Sequence, residues 1–256
     1  MTDPWETLKR FTAARIAQGR AGHGLRTESH LDFQLAHAAA RDAVHLPWDV
    51  EGFAGEVAAL GLDPMVLATP VPDRMQYLKR PDLGRMLDKA SGEHLATWSG
   101  ARPDLALVFT NGLSSTAMDA HGLNLLRAII EAFDTVSIGP ICLVPNGRVA
   151  LSDEIGAALG ARLAVIVVGE RPGLSSADSL GIYMTYNPNP ANTDAERNCI
   201  SNVRPPEGLD CRAAAVKLRW IADQALLRQL SGVELKDDMP AGISLAADES
   251  SRSLLP

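Results

Sequence analysis

Leu163-Ala164-Val165-Ile166-Val167-Val168-Gly169 is the stretch that decides how this chain folds. Its apolar run is rich in β-branched residues, has the length of a strand, and lacks the alternation of a half-solvated one. Such a strand is buried on both faces, as in a parallel sheet covered by helices. Outward from it the signal repeats. Residues 105–109 are apolar and end in the turn Thr110-Asn111-Gly112, and residues 138–144 end in Pro145-Asn146-Gly147. Residues 181–186 read as a further strand. Helical stretches lie between and after them. One spans 114–133, and another opens at Ser152 and stops at Gly160. It carries Asp153 and Glu154 in its first turn, where the helix dipole favours negative charge. The last, over 209–230, stops at Ser231-Gly232. Strands alternating with helices are the pattern of an open α/β sheet.

Before residue 80 the pattern is helical. Helices are predicted over 5–18, ending at the Gly19, Gly22, Gly24 cluster; over 29–44, ended by Pro47; and over 50–60, ended by Gly61 and Pro64. Residues 67–73 hold two prolines and read as an extended linker, and 82–90 as a short helix. The expected architecture is a helical N-terminal region (1–80), then a Rossmann-like, mostly parallel open sheet with helices on both faces (81–236), then a flexible polar tail (237–256).

Composition narrows the function. The 256 residues suit one large domain or two modest ones. A hydrophobic fraction of 46% is too high for a disordered chain. A net charge of −7, with no basic run, disfavours a nucleic-acid partner. No apolar stretch reaches the roughly 18 residues of a membrane span. Cys142, Cys199 and Cys211 lack both disulfide-framework and C-x-x-C zinc spacing, and no H-E-x-x-H is present, so no metal site is expected. The first ten residues carry charge but no apolar core of a secretory signal, which points to the reducing cytoplasm.

In open α/β sheets, ligands bind just beyond the carboxyl ends of the strands. Residues 110–115, 145–149 and 169–176 fall there. In the last, Glu170 and Arg171 follow a buried strand, either as a surface ion pair or as polar contacts to a ligand across the sheet edge. Residues 194–202 pack Arg197, Asn198, Cys199, Ser201 and Asn202 into a connector dense enough to be a binding or interface loop. No histidine lies near Cys199 in sequence, so a small buried or ligand-contact role suits it better than a nucleophilic one. Phosphate loops and the G-x-G-x-x-G fingerprint are absent, and Gly112-Leu113-Ser114-Ser115 only approaches a G-x-S-x-G elbow. Asp119-Ala120-His121 starts like the corrinoid motif D-x-H-x-x-G, but Asn124 stands at its sixth position, and His121 reads as a helix-surface residue. The row His37, Arg41, His45 has no carboxylate partner at ligand spacing and reads as a solvated or interface face.

Four strings taken together carry a more specific message. They are Leu31-Asp32-Phe33-Gln34-Leu35-Ala36-His37 with Arg41-Asp42-Ala43-Val44-His45; Gly147-Arg148-Val149-Ala150 with Asp153-Glu154-Ile155-Gly156; Gly169-Glu170-Arg171-Pro172-Gly173-Leu174; and Arg197-Asn198-Cys199-Ile200-Ser201-Asn202. In this order and spacing the chain closely resembles the small (light) subunit of ethanolamine ammonia-lyase over about residues 10–236. The resemblance implies an adenosylcobalamin-dependent lyase that converts ethanolamine to acetaldehyde and ammonia. It implies a large catalytic subunit, a (β/α)8 barrel holding the substrate site and the radical chemistry, with the cobalamin held between the two chains. Family cobalamin contacts carry over to Val149, Glu170 and Cys199. No catalytic residue is expected on this chain, and cobalt would be held by the corrin rather than by protein side chains. Some members of the family enter a protein-shelled microcompartment through an N-terminal extension. The family-like region here begins within the first 10 to 20 residues, so the cytoplasm is the first expectation and a microcompartment the second. The competing reading is a self-sufficient nucleotide-binding α/β hydrolase using the same strand-end loops.

Overall fold

A computed structural model describes residues 5–240; residues 241–256, most of the expected tail, lie outside the described residues. The chain opens with a 3₁₀ turn, Glu6–Phe11, where a longer helix is expected from sequence. None of its side chains is buried, so no packing face supports a continuous helix there. Then come α1 (Thr27–His45), α2 (Val50–Ala59), β1 (Pro64–Val66), α3 (Arg74–Lys79) and α4 (Lys89–Ala96). The Asp49, Asp73 and Asp88 carboxylates cap α2, α3 and α4 by accepting from Gly52, Gln76 and Ser91 backbone N–H groups. β2 (Leu105–Thr110) leads into α5 (Ser115–Ala117), a π-helical turn (Met118–Gly122) and α6 (Leu123–Ala132). β3 (Ile138–Leu143), α7 (Leu151–Leu159), β4 (Leu163–Gly169), β5 (Leu180–Tyr186), β6 (Arg197–Val203) and α8 (Cys211–Arg228) complete the chain.

The strands form one six-stranded mixed sheet in the order β1-β3-β2-β4-β5-β6. β1, β3, β2 and β4 are mutually parallel, whereas β5 and β6 run antiparallel to their neighbours. Two strands lie where the sequence reading expects none. Pro64–Val66 is a strand where the helix-to-linker transition is expected, and Arg197–Val203 is an edge strand where a polar connector is expected. The physical reason for the second is alternation. Ile200 and Val203 face the core while Cys199 and Ser201 face outward, so no continuous apolar run marks the strand.

Each face of the sheet carries its own core. On the first face, Leu105, Leu107, Phe109, Val165, Val167, Ile182 and Met184 pack with residues of α2, α6 and α8. On the second, Ala106, Val108, Cys142 and Ile166 pack against Leu95 of α4 and Leu151, Ile155 and Leu159 of α7. β4 contributes to both, which is why its sequence shows no polar position. Helix α8 lies over β5 and β6 on the first face, and α7 lies over β2 and β4 on the second. The second face of the outer strands is therefore left partly open: Tyr183 is half-buried, and Cys199 and Ser201 are exposed.

Candidate functional site

The turn after β2 is consumed by the fold itself. Thr110 and Asn111 are buried, and their side chains accept from the backbone N–H groups of Gly147 (2.9 Å) and Asn146 (2.8 Å). Leu113 N–H donates to the Gly169 carbonyl and Ser114 N–H to that of Asn111. Ser114 Oγ donates to the Ala177 carbonyl at 2.7 Å. Donors that a phosphate would need are thus spent inside the molecule, which counts against the nucleotide-hydrolase reading. His121 is largely enclosed rather than on the helix surface, with its Nε2 3.1 Å from Asp178 Oδ2.

Glu170 follows β4 and reaches across the sheet. Its backbone N–H donates to the Ser179 carbonyl at 2.9 Å. Its carboxylate accepts from Ser179 Oγ at 2.6 Å, from Ser201 Oγ at 2.5 Å and from the Asn202 N–H at 3.3 Å. The last two contacts have a cause in the register of β6. Leu180 pairs with Val203 but Ile182 pairs with Ile200, so β6 holds one extra residue there. Asn202 takes a left-handed φ of 61° at that bulge. A bulge leaves ladder groups unpaired, and the Glu170 carboxylate satisfies the freed N–H. Gly181 makes room for it, since a Cβ there would stand 2.9 Å from Glu170 Oε1.

Cys199 lies directly across from Tyr183, and Tyr183 directly across from Ile166. Burial pushes the Cys199 thiol above its ordinary range, and the neighbouring Tyr183 phenol partly offsets it. Burial, with Cys199 and Glu170 nearby, likewise pushes the Tyr183 phenol up. Val149 precedes α7 and packs, as Tyr183 does, against the apolar cluster of the second face. So the structure links Glu170 to Cys199 through Tyr183, Gly181 and Ser201, and sets Val149 on the same apolar floor. Tyr183 is the residue that sequence reading passes over. Its signal is the alternation Leu180, Ile182, Met184 inward against Gly181, Tyr183, Thr185 on the other face.

One buried ion pair joins the two halves of this surface. Arg197, the first residue of β6, pairs with Asp153 on the first turns of α7, with side chains 2% and 1% exposed. Arg197 also donates to Asp194 at 2.6 Å and to the Asn192 carbonyl at 3.2 Å. The pair holds the helix that begins after Val149 against the strand that carries Cys199. Among the described residues, no group of three or more His, Cys, Asp or Glu is placed to hold a metal ion, and no helix is long and apolar enough to cross a membrane.

Fold and site together define a mixed-sheet α/β protein that presents a partly open strand face beside the start of a helix. The family profile described as ethanolamine ammonia-lyase light chain (EutC) matches residues 2–236. Proteins named ethanolamine ammonia-lyase small subunit are close relatives. That of Azotobacter vinelandii is 52% identical over 241 residues, covering 92% of this chain and 89% of its own length. That of Pseudomonas fluorescens strain Pf-5 is 51% identical over 241 residues, with 92% and 88% covered. That of Ralstonia nicotianae is 51% identical over 240 residues, also with 92% and 88% covered. The chain belongs to the ethanolamine ammonia-lyase small-subunit family.

Proposed function

We propose that this chain is the small subunit of an adenosylcobalamin-dependent ethanolamine ammonia-lyase, and that it lends one wall of the cofactor site at its junction with a large catalytic subunit. The observation that carries the reading beyond the family is the partly open second face of β5 and β6, where Cys199 and Ser201 are exposed over an apolar base. A corrin is a broad apolar ring rimmed by amides, and such a ligand suits a shallow apolar surface with a few fixed polar groups. Val149 and Tyr183 offer apolar area, and Cys199 a small soft contact. Glu170 is held by three donors with acceptor capacity left on its carboxylate for a corrin amide. When bound, adenosylcobalamin supplies the radical chemistry, and protein groups orient it.

The residues of this chain bind and position. Glu170 is immobilised by Ser179, Ser201 and Asn202, so it meets an amide donor without first losing rotamer freedom. The Arg197–Asp153 pair fixes the angle between the two sides of the surface. In this reading the chain works in the cytoplasm, in keeping with the free thiols of Cys142, Cys199 and Cys211, with a microcompartment as the second location. The test is ethanolamine-dependent acetaldehyde release with adenosylcobalamin, comparing this chain, a large subunit, and the two mixed. Activity in the mixture alone is the expected result. An inactive mixture, with both chains folded and the large subunit competent with another small subunit, overturns the reading.

A further inference from the structure

Tyr183 holds the centre of the open strand face, and three observations bear on its role. It is flanked in register by Ile166 on β4 and Cys199 on β6. Its ring packs on the same cluster as Val149 yet stays half-buried, so one side of it remains available. Gly181, one position along the same face, brings no side chain to cover it, and a Cβ there would lie 3.3 Å from Tyr183 Cε2. An aromatic ring so placed offers a large, stiff contact area with little rotamer freedom to lose.

We propose that Tyr183 is a further cofactor-contact residue, its ring forming the floor on which the corrin edge rests between Val149 and Cys199. This rests on the reading above that the cofactor meets this chain at Val149, Glu170 and Cys199. Ser179 and Ser201 act in it as positioning residues, through the Glu170 carboxylate.

The experiment uses the complex with the large subunit and hydroxocobalamin as an unreactive probe, with affinity read by equilibrium dialysis. Tyr183→Leu removes the flat ring and is expected to weaken binding at least tenfold, with assembly unchanged. Tyr183→Phe keeps the ring and is expected to bind within about threefold of wild type. A residue that merely supports the fold would leave cobalamin affinity unmoved in both variants. Should Tyr183→Leu fail to assemble, hydroxyl-radical footprinting of the unmutated complex decides: cobalamin should slow oxidation of Tyr183 at least threefold. Val149→Trp and Cys199→Trp separate the two levels of the argument. If they abolish binding while both Tyr183 variants bind as wild type, the floor assignment is overturned and the broader reading stands. If the tryptophan variants also bind as wild type, both fall. Unchanged oxidation of Tyr183 on adding cobalamin overturns the floor assignment as well.

Discussion

Replacing Asp153 by alanine strips the Arg197 guanidinium of the partner that lies deepest in the protein. Both side chains are almost wholly enclosed, at 1% and 2% exposure. Removing one member of a buried pair leaves an uncompensated charge, typically at a cost of about 3–5 kcal/mol. Arg197 keeps two other acceptors: Asp194, whose side chain is 84% exposed, and the Asn192 carbonyl. The loss is therefore expected near the lower end, about 3 kcal/mol. In a chain of this size each kcal/mol moves Tm by roughly 2–4 °C, so Tm should fall by roughly 6–12 °C. Burial pushes the Asp153 carboxyl above its ordinary range even with Arg197 beside it. The pair thus gains little over an apolar contact, and Asp153→Leu combined with Arg197→Met should recover at least half of the loss. Urea unfolding of wild type, the single variant and the double variant is the assay. A single-variant loss below about 1 kcal/mol, or a double variant less stable than Asp153→Ala, refutes the reasoning.

Three further outcomes are expected. Phe109→Ala empties the middle of the first-face core, where the ring is fully enclosed, and should cost about 3–5 kcal/mol in the same assay. Gly112→Ala forces a side chain onto a φ of 47° and places its Cβ 2.2 Å from Val168 Cγ2 and 2.5 Å from the Gly169 carbonyl oxygen. The backbone alone costs at least about 1 kcal/mol, and thermal unfolding should show a clear fall in Tm. The thiols should separate by pH. Cys142 is fully buried and pushed up to about 12, so it should resist iodoacetamide until the protein unfolds. Cys199 is exposed but raised by burial of its sulfur. Its alkylation should reach half-maximal rate above the ordinary thiol range of about 8.5; a midpoint below that value contradicts the environment described.

How far the fold can be read from sequence depends on what each strand faces. β2, β3 and β4 bury side chains of both parities, so their apolar runs are continuous and easily read. β6 has one wet face, and its sequence alternates Cys199 and Ser201 against Ile200, which resembles a polar loop. β1 has three residues, too few for any period to show, and exists because β3 offers it an edge. Of the candidate site, the positions of Glu170 and Val149 follow from strand ends, but the partners of Glu170 come from 9 and 31 residues further along. The bulge at Asn202 brings in the more distant one, and no local pattern encodes a bulge of that kind. Tyr183 is not marked out in the sequence, because it belongs to a strand whose apolar residues are sufficient to explain it.

β6 is the outermost strand of the sheet, and an exposed edge is a template on which other chains can add strands. This one carries two of the features that discourage such pairing: a charged side chain, Arg197, directed inward at its start, and a bulge that breaks its ladder at Ser201 and Asn202. In the reading proposed above, the protein thus shows a strand face to a broad flat guest while its rim discourages pairing with copies of itself. Under that reading, protection against self-assembly and the shaping of the proposed surface fall to the same few residues, so variants aimed at one are expected to register in the other as a change in solubility.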